Sequence, residues 1–186
     1  MTAPTSLSLA PGFLIAMPQL ADPNFKRSVI LMLEYSAAGG MGLILNRPAP
    51  FGLREVAKSQ SMAVSTERKA DAVYFGGPVE PHRGFVLHDR AEIDEKEEII
   101  PGVYLSVTLD SLEPLLTDDA VKFRFCLGYA GWGPKQLDKE IASGTWLFAE
   151  ATKLAVLEVE ALSLWETVLQ GMGVNPAMLV PGKGVH

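Results

Sequence analysis

The chain has 186 residues, 48% hydrophobic and 20% charged, a composition that excludes a disordered chain and supplies enough apolar side chains for a full core. Its 16 basic and 22 acidic groups leave a net charge of −6, and its one cysteine, Cys126, excludes an internal disulfide framework and fits a reducing compartment. The acid is concentrated in residues 61–120, with 13 acidic against 5 basic groups, so a phosphate backbone is repelled there and direct DNA binding is disfavoured.

No composition break divides residues 1–186, so one domain is expected. The apolar stretch from Leu7 to Leu20 does not read as a secretory signal. No Lys or Arg precedes Lys26, and Pro11, Gly12 and Pro18 interrupt the run. No apolar run approaches the ~20 residues that span a bilayer. The expected location is the cytoplasm, with no membrane partner.

In chain order, continuous apolar runs predict strands over Phe13–Met17, Ser28–Leu33 and Met41–Leu45, followed by a helix over Leu53–Ser59. Further strands are expected over Ala72–Phe75, Phe85–Leu87 and Val103–Val107, with Asp89, Glu92, Asp94, Glu95, Glu97 and Glu98 read as a solvated loop between the last two. A helix following Asp110 places Leu112, Leu115 and Leu116 inward, and Pro114 is expected to stop it after about one turn. After the apolar run Phe123–Leu127, a helix is expected from Pro134 to about Ala142, then a strand over Thr145–Ala149. The strongest helical signal covers Ala161 to Met172, where Leu162, Trp165, Leu169 and Met172 form one stripe. Residues 175–186 read as an irregular tail. Strands apolar on both faces need cover on both. The pattern therefore predicts a mixed α/β, α+β-like architecture with a strongly curved sheet.

Four segments combine special backbone residues with polar or aromatic groups. Pro18–Phe25 is a Pro/Asp turn or a binding loop whose neighbours Lys26 and Arg27 can meet an anion. In Asn46-Arg47-Pro48, Arg47 can clamp a carboxylate or phosphate with Asn46 beside it, or the trio simply ends a strand. Gly76-Gly77 allows close approach of a ligand or of another chain segment, and His88 closes the following apolar run as a structural residue or an acid–base group. Gly128-Tyr129-Ala130-Gly131-Trp132-Gly133-Pro134 is expected to be a glycine-rich turn before a helix, with Tyr129 and Trp132 able to stack on a ligand and Gln136 beside them. Its glycine spacing is not that of a dinucleotide fingerprint. There is no Walker loop, serine elbow or paired zinc-ligand spacing, and Cys126 lies inside an apolar run, so no metal, cofactor or catalytic residue is assigned.

Together these segments resemble the AlgH/YqgE family of small bacterial proteins. The resemblance rests on Met17-Pro18-Gln19-Leu20 with Asp22-Pro23 and Phe25, Met41–Pro48, Gly76–Val79 with Gly84–His88, and Gly128–Gly133 with Gln136-Leu137 and Glu140. Lys135 stands where the family often has glycine. The resemblance implies a curved, bifurcated sheet forming a pseudo-barrel flanked by short helices, and no established activity. Some members carry the label of transcriptional regulator, tied to alginate control, although no segment here reads as a helix-turn-helix.

The favoured reading is a non-enzymatic regulatory protein binding another protein or a small anionic ligand. Its surface is expected at a common rim of Asn46, Arg47, Gly76, Gly77, His88, Tyr129, Trp132 and Gln136. The alternative is a hydrolase or transferase of an anionic metabolite, with Arg47 as clamp and His88 as acid or base. Direct DNA binding would need a continuous basic face from Lys26, Arg27, Arg47, Arg54 and Lys58.

Overall fold

A computed structural model describes residues 8–65 and 71–179. Strands β1 (Gly12–Ala16), β2 (Val29–Ser36) and β3 (Gly39–Ile44) form an antiparallel meander, joined on its outer side by β10 (Trp146–Ala149). Between β3 and β10 the chain forms β4 (Pro48–Gly52), α1 (Leu53–Ser59), β5 (Ala72–Phe75), β6 (Val79–His88), β7 (Glu97–Ile100), β8 (Val103–Ser106), α2 (Leu109–Leu116), β9 (Phe123–Trp132) and α3 (Gln136–Ala142). Three helices follow β10: α4 (Lys153–Leu157), α5 (Ala161–Gly171) and α6 (Pro176–Leu179).

The main strand order is β10-β1-β2-β3-β9-β6-β8-β7, and the sheet divides at β9. On one side β9 pairs with β6 along most of its length. On the other, its first half pairs in parallel with β5 and its second half antiparallel with β3. Gly128 sits at the division with φ +75°, a conformation glycine adopts without steric cost. A side chain there would strike the Gly77 carbonyl at 2.4 Å, so two backbones meet where a larger residue would part them. The result is a curled, half-barrel sheet of mostly antiparallel strands with short helices around it.

The unbroken apolar runs find cover on both faces. Phe13, Ile15, Val29, Leu31, Leu43, Phe85, Leu87 and Cys126 face α4 and α5 in one cluster. Their alternates Leu14, Ala16, Ile30, Met32 and Ile44 face Trp132, Leu137 and Trp146 in a second. A third cluster places α1 and α2 over Val73, Val86 and Phe125.

Several elements depart from the sequence reading. Helix α2 runs through Pro114 for 8 residues rather than stopping after a turn. An interior proline costs about 3 kcal/mol. Leu112, Leu115 and Leu116 are all buried, and full burial of a leucine contributes about 1.5–3 kcal/mol, so packing outweighs the lost hydrogen bond. On α5 the buried face is Ala161, Leu164, Trp165 and Leu169, whereas Leu162 is 88% exposed. Glu97 and Glu98 lie not in a loop but on β7, where both are exposed and Ile100 is buried. Gly128–Trp132 is strand rather than turn, because pairing with β3 and β6 carries β9 to Trp132. The predicted tail begins with a helical turn, Pro176–Leu179, which Asn175 caps by accepting the Ala177 N–H at 3.0 Å. The rest of that tail lies outside the described residues.

Arg124 on β9 ties these parts together. It is 4% exposed, and burial lowers its proton affinity, yet a guanidinium stays charged in proteins. Its Nε donates to the Val156 carbonyl at 2.9 Å, Nη2 to Val159 at 2.9 Å, and Nη1 to Leu45, while the group lies 4.7 Å over the Tyr74 ring. Carbonyls in and just after α4 and after β3 thus replace the water around the charge. Replacing it as Arg124→Met should lower stability by about 3 kcal/mol in urea denaturation, since three acceptors lose their donor at about 1–3 kcal/mol each before relaxation. Lys135 behaves oppositely. It occupies the position before α3 with φ +62°, where a side chain costs about 1–2 kcal/mol, so Lys135→Gly should raise stability by about 1 kcal/mol in the same assay.

Candidate functional site

Asn46 and Arg47 sit where β3 gives way to β4, and both hold the 22–28 segment. Asn46 accepts the Val29 N–H at 2.9 Å through Oδ1 and donates to the Arg27 carbonyl at 2.9 Å through Nδ2. Arg47 donates from Nη2 to the Lys26 carbonyl at 2.8 Å, and its own carbonyl accepts the Phe75 N–H at 2.7 Å. Part of the fork expected to clamp an anion therefore fastens a turn. That turn presents Lys26 and Arg27 to a cleft of about 300 Å³, lined also by Arg47, Leu162, Trp165 and Glu166.

The other rim residues separate into distinct surroundings. Gly76 lies close to Asn46-Arg47: its carbonyl accepts the Ile44 N–H at 2.8 Å and its N–H donates to Leu127 at 2.8 Å. Gly77, with φ +155°, lies against the Tyr129 backbone. The Tyr129 ring meets Phe85 edge-on at 6.0 Å, in the cluster facing α4 and α5. Partial desolvation and a hydrogen bond to Glu80 raise its ionisation above the usual value of 10.

Trp132, three residues on, faces the opposite side of β9 and is 7% exposed. Its Nε1 donates to Glu140 Oε2 at 2.9 Å, and the Trp146 indole donates to the same oxygen at 2.8 Å. Gln136 donates to Glu140 Oε1 at 3.1 Å and accepts the Gly133 N–H at 3.0 Å. The expected aromatic loop is thus a packed seam: Phe25, Trp132 and Trp146 lie about 6 Å apart, with Glu140 satisfying both indoles. Tyr129 and Trp132 do not share a rim, because an odd offset along a strand turns side chains to opposite faces.

His88 is wholly buried. The Arg90 N–H donates to its Nδ1 at 3.1 Å, so Nε2 carries the proton and donates to Ser106 Oγ at 2.9 Å. Ser106 in turn donates to the Glu95 carbonyl at 2.8 Å. Both ring nitrogens are occupied, which withdraws His88 from acid–base work on a ligand. Burial pushes the Cys126 thiol up to about 12, opposed by the nearby Arg124 charge, so it stays protonated and inert. Among the described residues no group of His, Cys, Asp and Glu is arranged to hold a metal ion.

A cleft of about 550 Å³ lies between α1 and α2 over β6 and β9. Val86, Leu112, Phe125 and Leu127 form its floor, and Ser59, Gln60, His82 and Thr108 supply polar groups around it. Phe51 and Val107 stand at its lip, 41% and 53% exposed. Of the sequence motifs only Gly84–His88 reaches this site, through Gly84 and Val86. Its floor residues read as ordinary core positions, and Val86, Leu112 and Phe125 are buried at its base, while Phe51 and Val107 at the lip face solvent.

Burial lowers the proton affinity of His88 below the ordinary 6.5, with Asp89 and Glu92 opposing and Lys96 adding to the shift. The unfolded chain therefore binds a proton that the native state resists. The His88 contribution is fully present above pH 6.5 and is lost as pH falls below it. Urea titrations from pH 7.5 down to about 5 should show declining stability, and His88→Gln should flatten that decline.

Comparison with known proteins places this arrangement. The profile of the AlgH-like family, DUF179, matches residues 13–177. A UPF0301 protein of Myxococcus xanthus is 61% identical over 96% of this chain and 99% of its own length, and one of Paracoccus denitrificans is 38% identical over 96% and 97%. The solution structure of AlgH from Pseudomonas aeruginosa superposes over 100% of both chains with a TM-score of 0.74 at 30% identity. A protein from Corynebacterium diphtheriae superposes with a TM-score of 0.72 at 25% identity, covering 92% of this chain and 91% of that one. With a branched sheet, a matching profile over most of the chain and a relative at 61% identity, this chain belongs to the AlgH-like family.

Proposed function

We propose that the protein is a non-enzymatic binding protein of the cytoplasm, whose cleft between α1 and α2 takes an apolar group presented by another protein or by a small molecule. The observation that carries this reading is the cleft's construction. It is of ligand-site size, floored by apolar side chains, edged by a few polar groups, and opened by two large apolar residues that remain in solvent.

Two further features support binding over chemistry. His88 and Cys126, the groups with the most chemical potential in the sequence, are buried and engaged or inert. A regulatory role is then exerted through a partner. The five residues needed for a basic DNA face divide between the 300 Å³ cleft, which holds Lys26, Arg27 and Arg47, and α1, which holds Arg54 and Lys58. No helix among the described residues is long and apolar enough to cross a membrane, and the lone buried thiol suits a reducing cell interior.

Titration with indole as a neutral aromatic probe, followed through methyl resonances, tests the assignment. Shifts should concentrate on Val56, Val86, Val107, Leu112 and Leu127, and Val107→Asp should weaken binding about tenfold without unfolding the chain. Shifts centred elsewhere, or unchanged affinity in Val107→Asp, would sink the reading.

A further inference from the structure

A second cleft shares no lining residue with the first and differs from it in chemistry. We propose that the 300 Å³ cleft between the 22–28 turn and α5 binds a phosphate monoester, as a dianion carrying a small apolar body.

The charge count selects the ligand. Lys26, Arg27 and Arg47 contribute three positive charges and Glu166 one negative, 3 − 1 = +2 for the lining. Among the described residues none of the three cations forms an ion pair, and Lys26 and Arg27 donate no side-chain hydrogen bond. Arg47 spends only Nη2, on backbone carbonyls, and keeps the rest of its fork. Phosphate oxygens match such donors in number and geometry, and a dianion neutralises the lining where a carboxylate would leave an excess charge.

The cations are also held in place. Arg27 adopts φ +54°, and its guanidinium lies 5.1 Å over the Trp165 ring. That ring is anchored by its own N–H, which donates to the Ala16 carbonyl at 2.9 Å. Asn46 and Arg47 grip the carbonyls of Arg27 and Lys26, so the turn presenting the charges is tied to the sheet. A site whose donors are already positioned pays less ordering entropy on binding. Beside the cations, Pro48, Ala161 and the 88% exposed Leu162 offer an apolar wall for the body of the ester.

Calorimetric titration of the full chain with phenyl phosphate, inorganic phosphate and benzoate tests the site. Phenyl phosphate should bind at least about tenfold tighter than either comparator, lacking as they do the apolar body or the second charge. Arg27→Gly removes one cation while relieving a left-handed backbone, so it should lose about tenfold in affinity with the unfolding temperature unchanged or raised. Leu162→Ser should erase the preference for phenyl phosphate over inorganic phosphate. A phosphotyrosine peptide identifies the source: tighter binding than phenyl phosphate assigns a phosphorylated protein, and equal binding a small metabolite. Benzoate bound as well as phenyl phosphate, or undiminished binding by folded Arg27→Gly, overturns the proposal.

Discussion

A buried cation without a carboxylate among its hydrogen-bond partners constrains this architecture more than any other feature. The Arg124 guanidinium cannot shed its proton, so the chain must surround it with acceptors. It does so with the Leu45, Val156 and Val159 carbonyls and the face of Tyr74. A planar fork accepts partners in only a few directions. The end of β3, the α4 segment and β9 are therefore fixed relative to one another, and with them the interior that α4 and α5 close.

The division of the sheet at Gly128 follows from the same strand. With β3 and β5 both against one side of β9, their ends must approach each other, and the glycines at 76, 77 and 128 make room. This brings the Asn46-Arg47 turn beside Gly76, and Asn46 and Arg47 in turn tether the segment bearing Lys26 and Arg27. A requirement of backbone packing thereby positions a set of cations. The separation of α1 from α2 arises in the other half of the sheet, over β6 and β9, so the two clefts differ in lining, charge and supporting elements.

Polar groups that stand out in the sequence serve mostly to satisfy the interior. Glu140 receives two indole N–H groups, His88 passes a hydrogen bond from the Arg90 amide towards Ser106, and Asn46 bridges two backbone groups. Unpaired buried donors and acceptors are costly, so fold-holding side chains are as sharply specified as ligand-binding ones.

By itself the sequence determined the apolar runs of β1, β2, β3 and β5, the helices α1 and α5, and the mixed architecture, because periodicity and continuous hydrophobicity are local properties. Its glycine and proline motifs also carried the family resemblance. It did not determine that Gly128–Trp132 is strand, that α2 passes Pro114, or that Leu162 faces water, since pairing and burial supplied by distant segments overrode local preference. Nor did it separate Tyr129 from Trp132 or reveal the α1–α2 cleft. Those outcomes depend on which face a strand turns and how far two helices stand apart, which only tertiary packing decides.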